Sequence, residues 1–195
     1  MATYLYDESL IRKIKSWTSK TNLHIYGPDD TRTLFETIAG ENKDKPIELP
    51  LICLRRRGGY TLNVPQKKPL TYDGLTLDAT CEKSIQLNAI PITIPYQLDV
   101  YTRYYKEADE YMRNIVFNLI NYPTLTVNIP YNDIDIQHAG NIKLSSEIVD
   151  NSDISERLIV GQFTRLTVEF DVDDAYLFDA KVRDNYSIEC DIEAK

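Results

Sequence analysis

The stretch "IPITIPYQLDVYTRYYKEADEYMRNIVFNLINYP", residues Ile90 to Pro123, changes its period partway along. Up to Tyr101 the apolar residues fall at every second place: Ile90, Ile92, Ile94, Tyr96, Leu98 and Val100. From Tyr105 they recur at three and four: Tyr105, Ala108, Met112, Ile115 and Leu119. The first pattern belongs to a half-buried strand and the second to an amphipathic helix. A long strand feeding straight into a helix over residues 105–122 restricts the fold to a sheet with helix packed on it.

The rest of the chain fits that frame. Asp7 reads as the cap of an N-terminal helix, Glu8 favours the positive end of its dipole, and Leu10, Ile11, Ile14 and Trp17 form its apolar stripe. "NLHIYG" is a short strand, "GPDDTRTLFETIAG" a helix stopped by Gly40, and "ENKDKP" a charged loop. "IELPLICLRRRGGYTL" is an apolar strand running into Arg55, Arg56 and Arg57, then a turn at Gly58 and Gly59. Residues 64–88 read as an irregular β excursion, a hairpin or a loop, carrying Lys67 and Lys68 and a turn at Tyr72 to Gly74.

Downstream, "TLTVNIPY" is a strand, "NDIDIQHAGN" a loop and "NIKLSSEIVDN" a further strand. Leu166, Val168, Phe170 and Val172 alternate with Thr167, Glu169 and Asp171, as in a sheet with one wet face. "DVDD", Asp171 to Asp174, reads as the end of that strand turning into solvent, and the residues from Lys181 as a tail or an edge strand. The expectation is a single α+β domain over residues 1–195. Its sheet is largely antiparallel or mixed, packed by the long helix and the N-terminal helix.

Composition narrows the function more than it names it. A net charge of -8 disfavours nucleic acid or anionic membrane as the main partner. No apolar run approaches the roughly 20 residues that span a bilayer, and "MATYLYDESLIRKIKSW" has no secretory-signal pattern. Cys53, Cys81 and Cys190 are odd in number and scattered, which points to a soluble protein of a reducing cytoplasm. Tyrosine is abundant, 14 against 5 Phe, and its apolar face and polar tip suit protein interfaces.

Chemistry is harder to find. His24 lies in a short strand, and His138 falls in the loop with Asp133 and Asp135. That set is short of a metal site, which needs more ligands at defined spacing. No nucleophile elbow, Walker loop or dinucleotide fingerprint occurs, and no cofactor is expected. The run Arg55 to Arg57 has three readings: a solvated strand end, a guanidinium contact to carboxylates of a neighbouring protein, or a contact to DNA phosphate. A hydrolase using His138 and its aspartates is the enzymatic alternative. A small-molecule or peptide-binding module with a tyrosine-lined sheet is another.

One resemblance bears on the choice. "YQLDVYTRYYKEADEYMRNIVFNLI" resembles the strand–"FTRY"–helix segment of the tail terminator proteins of contractile-tailed, T-even-like bacteriophages. "IKLSSEIVDNSDISERLIVGQFTRLTVEFDVDDAYLF" is similar to that family's closing strands, "YLYDESLIRKIK" to its N-terminal helix, and "IELPLICLRRRGG" to its "V-P-I" strand. The Pro-rich C-terminal extension of the T-even proteins has no counterpart in these residues.

The resemblance implies a non-enzymatic virion protein at the neck, assembled in the host cytoplasm. It implies a six-fold ring of this chain that ends tube and sheath polymerisation and offers a docking surface to neck and head. Another neck or head–tail connector ring is the nearest alternative. Such a ring is a head-to-tail contact whose rotation closes. Its contacts are expected on loops: Arg55, Arg56 and Arg57, Lys67 and Lys68, and the Asp133 to Asn141 segment with Asp135 and His138.

Overall fold

The computed structural model describes residues 3–18, 23–30, 49–63, 70–75, 83–131, 134–152 and 163–184. In chain order these form α1 (Tyr4–Trp17), β1 (His24–Tyr26), β2 (Leu51–Arg56), β3 (Thr61–Leu62), β4 (Leu70–Leu75) and β5 (Lys83–Thr102). Then follow α2 (Tyr105–Asn121), β6 (Thr124–Tyr131), β7 (Ile134–Asp150) and β8 (Thr164–Asp184). The fold is α+β. One sheet runs β1-β2-β5-β8-β7-β6, with β3 and β4 also pairing β5. Only β1 and β2 run parallel among the described pairs.

The period change at Tyr101 is real. On β5, Ile92, Ile94, Tyr96, Leu98 and Val100 are fully buried, and across the ladder they face Ala175, Val172, Phe170, Val168 and Leu166 of β8. Tyr96 stacks on Phe170 with ring centroids 5.6 Å apart. Both helices lie on this face. Ala108, Met112, Ile115 and Leu119 of α2 and Leu10 and Ile14 of α1 join the same core. Tyr105, expected in the stripe, is exposed, and Tyr111 is buried in its place. α2 ends where the Tyr122 amide bonds the Asn118 carbonyl and Pro123 prevents another turn.

Three local expectations need correction. Asp7 does not cap α1: Thr3 holds the cap position without a side-chain capping bond, and Asp7 lies buried inside the first turn. Within the segment Asp133 to Asn141, expected as a loop, Ile134 to Asn141 form a strand: β7 begins at Ile134 and pairs back on β6 down to Asn141 opposite Thr124. Its polar residues suggested a loop, yet Ile134 and Ile136 already carry the two-residue period of a strand.

Nor does β8 stop at the acidic run, since it continues to Asp184. Between Ile92 and Ile94 the β5 ladder has Thr93 alone, where β8 has Asp173 and Asp174 between Val172 and Ala175. Two residues against one is a bulge. Asp174 takes φ 57, a left-handed conformation that Asp tolerates better than most residues. The bulge breaks the alternation at "DVDD": the buried residues on either side of it are Val172 and Ala175, three apart. Of the stretch 64–88, residues 70–75 pair with 84–89 of β5.

Candidate assembly surface

The three arginines leave β2 in alternate directions, as strand geometry requires. Arg56 turns to the helix face and grips Asp7 in a fork, Nε to Oδ1 at 3.0 Å and NH2 to Oδ2 at 2.7 Å. Its NH1 donates to Thr3 Oγ1, and the buried Tyr96 hydroxyl donates to Asp7 Oδ1 at 2.7 Å. Burial first, and the Asp7 charge second, hold the Tyr96 phenol well above its ordinary pKa.

Arg55 and Arg57 turn to the opposite face. There Asp99 is fully buried and accepts from Thr167 Oγ1 at 2.6 Å, Gln97 Nε2 at 3.0 Å and Arg165 Nε at 3.3 Å. Arg55 Nε lies 3.3 Å from the other Asp99 oxygen, an ion contact without hydrogen-bond geometry. Arg57 reaches Glu169 at 2.6 Å and Asp171 at 3.5 Å near the surface. The run is therefore a clasp within the subunit, joining β2 to α1, β5 and β8.

His138 is half-buried in β7 and serves the bulge. Its Nε2–H donates to the Asp174 carbonyl at 2.6 Å, and its ring meets the edges of Tyr6, Tyr176 and Phe178. Burial lowers its pKa, opposed by the bond to the Asp174 carbonyl, so the ring is held neutral. Asp173 pins the same place, accepting from Thr93 at 3.0 Å and Lys143 at 2.6 Å. Asp135 sits in β7 opposite Pro130. Lys67, Lys68 and Asp133 lie outside the described residues, as do residues 31–40 of the helix expected in "GPDDTRTLFETIAG". Among the described residues no three potential ligands gather to hold a metal, and no helix is long and apolar enough to cross a membrane.

What the sequence reading passed over is apolar and exposed. Phe117 is 65% exposed and Ile120 62%, three residues apart on the outer side of α2. Tyr122, just past the helix end, and Tyr104 and Tyr105 at its start are exposed as well. The signal was legible: Phe117 and Ile120 fall outside the stripe that Ala108, Met112, Ile115 and Leu119 define. A second feature is an open recess of about 410 Å³ at the start of α1, lined by Tyr4, Asp7, Asp29, Arg56 and Tyr60 among others.

No protein-family model matches the chain, and no curated protein matches it.

Proposed function

We propose that this chain is a virion structural protein, a tail terminator of a contractile phage tail. Copies assemble as a ring at the head-proximal end, stop tube and sheath growth and receive the neck. The observation that carries the self-assembly part is the exposed apolar end of α2. An acidic chain that presents Phe117, Ile120 and Tyr122 together at one helix end has a surface suited to cover by another protein. The strand–helix resemblance directs that assembly toward a phage tail. The clasps at Asp7 and Asp99 support it further by making the sheet a stiff platform for contacts.

Electron microscopy of particles made without the protein tests the reading. Tails of uncontrolled length, or finished tails that never join heads, are the expected result. Normal tails joined to heads would overturn it.

The recess beside Tyr4 and Tyr60 favours one second reading, a module that binds a small molecule or peptide side chain. It is open rather than enclosed, and a ligand-induced rise in melting temperature lost in Tyr60→Ala would identify it.

A further inference from the structure

Among the described residues the sheet ends on β6, and the side chains of Thr124, Thr126 and Asn128 on that strand are exposed. Alternate residues of an antiparallel strand turn their N–H and C=O toward the neighbour, and the others turn them away. The Ile142 amide donates to the Pro123 carbonyl, and Thr124 stands opposite Asn141. Odd-numbered residues of β6 therefore bond inward to β7, and Thr124, Thr126 and Asn128 turn their backbone groups outward.

An open edge invites indiscriminate pairing, which natural proteins limit with lysine and proline. Both are present here. The Lys13 amine of α1 donates to the outward Thr124 carbonyl at 2.8 Å. Pro130, the next outward position after Asn128, has no N–H to offer. Between these two stops Thr126 and Asn128 each turn an N–H and a C=O away from the sheet, and no hydrogen bond among the described residues takes them. That is a short template, with room for a few residues of an extended chain. Alternating N–H and C=O asks for a partner that both donates and accepts along its backbone. A peptide does so and a phosphate backbone does not.

Beside the template, between α1 and β6, runs a groove of about 360 Å³ lined by Ser9, Arg12, Lys13, Thr124, Thr126 and Asn128 among others. No carboxylate is among its described lining residues, and Glu8, one turn before Arg12, is exposed outside that lining. A slot beside an edge strand under a helix suits an extended peptide: the backbone pairs and the side chains select. Here the selecting groups are two cations in a chain of net charge -8, so the complement is acidic.

We propose that the β6 edge receives an extended acidic segment of a partner protein, its backbone paired to Thr126 and Asn128 and its carboxylates facing Arg12 and Lys13. This goes beyond the terminator reading and does not rest on it.

Fluorescence of Trp17 reports occupancy, because it is the sole tryptophan of the chain and the Lys13 amine lies 5.2 Å from its ring centre. The probe is an end-blocked synthetic peptide of about seven residues alternating valine and glutamate. One control peptide carries lysine for glutamate, and the other carries proline at its centre. At low salt the glutamate peptide is expected to bind about tenfold or more tightly than either control. Thr126→Pro removes an outward N–H, leaves the β6–β7 bonds in place, and is expected to abolish binding. Arg12→Glu with Lys13→Glu is expected to reverse the preference toward the lysine peptide. Amide hydrogen exchange gives a check that needs no variant: Thr126 and Asn128 should exchange fast in the dilute free chain and slowly with the glutamate peptide bound. No saturable binding, equal binding of all three peptides, or amides already protected in the dilute free chain would overturn the proposal. Protection that grows as the free chain is concentrated would make a second copy the occupant and overturn a strand from another protein. The particle experiment judges the terminator reading separately.

Discussion

Asp99 has the most to lose from a single change. Its carboxylate is fully buried, and its partners Arg55, Gln97, Arg165 and Thr167 come from three strands. Asp99→Ala removes the buried carboxylate that faces the Arg55 and Arg165 guanidiniums, a loss of about 3–5 kcal/mol for a broken buried pair. Asp171→Ala removes only the long surface contact to Arg57 and should stay within about 0.5 kcal/mol. Urea unfolding of the two variants checks the contrast. The run Arg55 to Arg57 stands out in the sequence, but its partners are distant along the chain, so nothing local announced the clasps. His138 gives a pH dependence of fixed sign. Its folded pKa lies below the unfolded value of about 6.5, so the unfolded chain takes up the proton first. Stability is full above about pH 6.5 and falls as pH drops toward the folded pKa. His138→Gln should lower stability at pH 8 yet flatten the slope of the urea midpoint between pH 7 and 5.5. An unchanged slope would remove His138 from the account.

Two faces of α2 have separate tasks, and substitutions on them should diverge. Ile115 is fully buried against the sheet, so Ile115→Ala opens a cavity and costs about 2–5 kcal/mol. Ile120→Ala, five residues on but exposed, should change the unfolding free energy by less than about 0.5 kcal/mol. Near-equal losses would mean that the outer side of α2 is already covered within the subunit. At the bulge, a Cβ on Gly140 would meet Val172 Cγ1 at 3.3 Å and the Asp173 carbonyl at 3.4 Å. Val172 is locked in the core and the carbonyl is backbone, so Gly140→Ala should cost about 1–3 kcal/mol in the same assay. The alternation of β5 from Ile92 to Val100 and most of the α2 stripe could be read from sequence alone, whereas Ile90 and Tyr105, counted in those patterns, are exposed. The first half of β7 could not, because Asp, Gln, His and Gly in one strand look like a loop until β6 is known to pair with it. β8 escaped for another reason: a bulge leaves no composition mark beyond a break in phase, and a break in phase is also how a strand ends.

At the scale of the whole molecule, association must be visible as stability. A partner that binds only the folded chain raises its unfolding free energy by RT ln(1 + [L]/Kd), about 2.7 kcal/mol at a hundredfold excess over Kd. For a chain of this length each kcal/mol moves the melting temperature by roughly 2–4 °C. If copies of the folded chain associate, the wild-type melting temperature should climb roughly 5–10 °C as concentration passes from well below Kd to a hundred times above it. The double variant Phe117→Ser, Ile120→Ser should respond far less to concentration and melt near dilute wild type, because the surface it alters is the exposed apolar end of α2. The two curves separate self-assembly from a fold that is merely stable: clasps at Asp7 and Asp99 act within one chain and ignore concentration. A wild-type melting temperature that does not move with concentration would mean that the exposed end of α2 is covered by a different protein or by none.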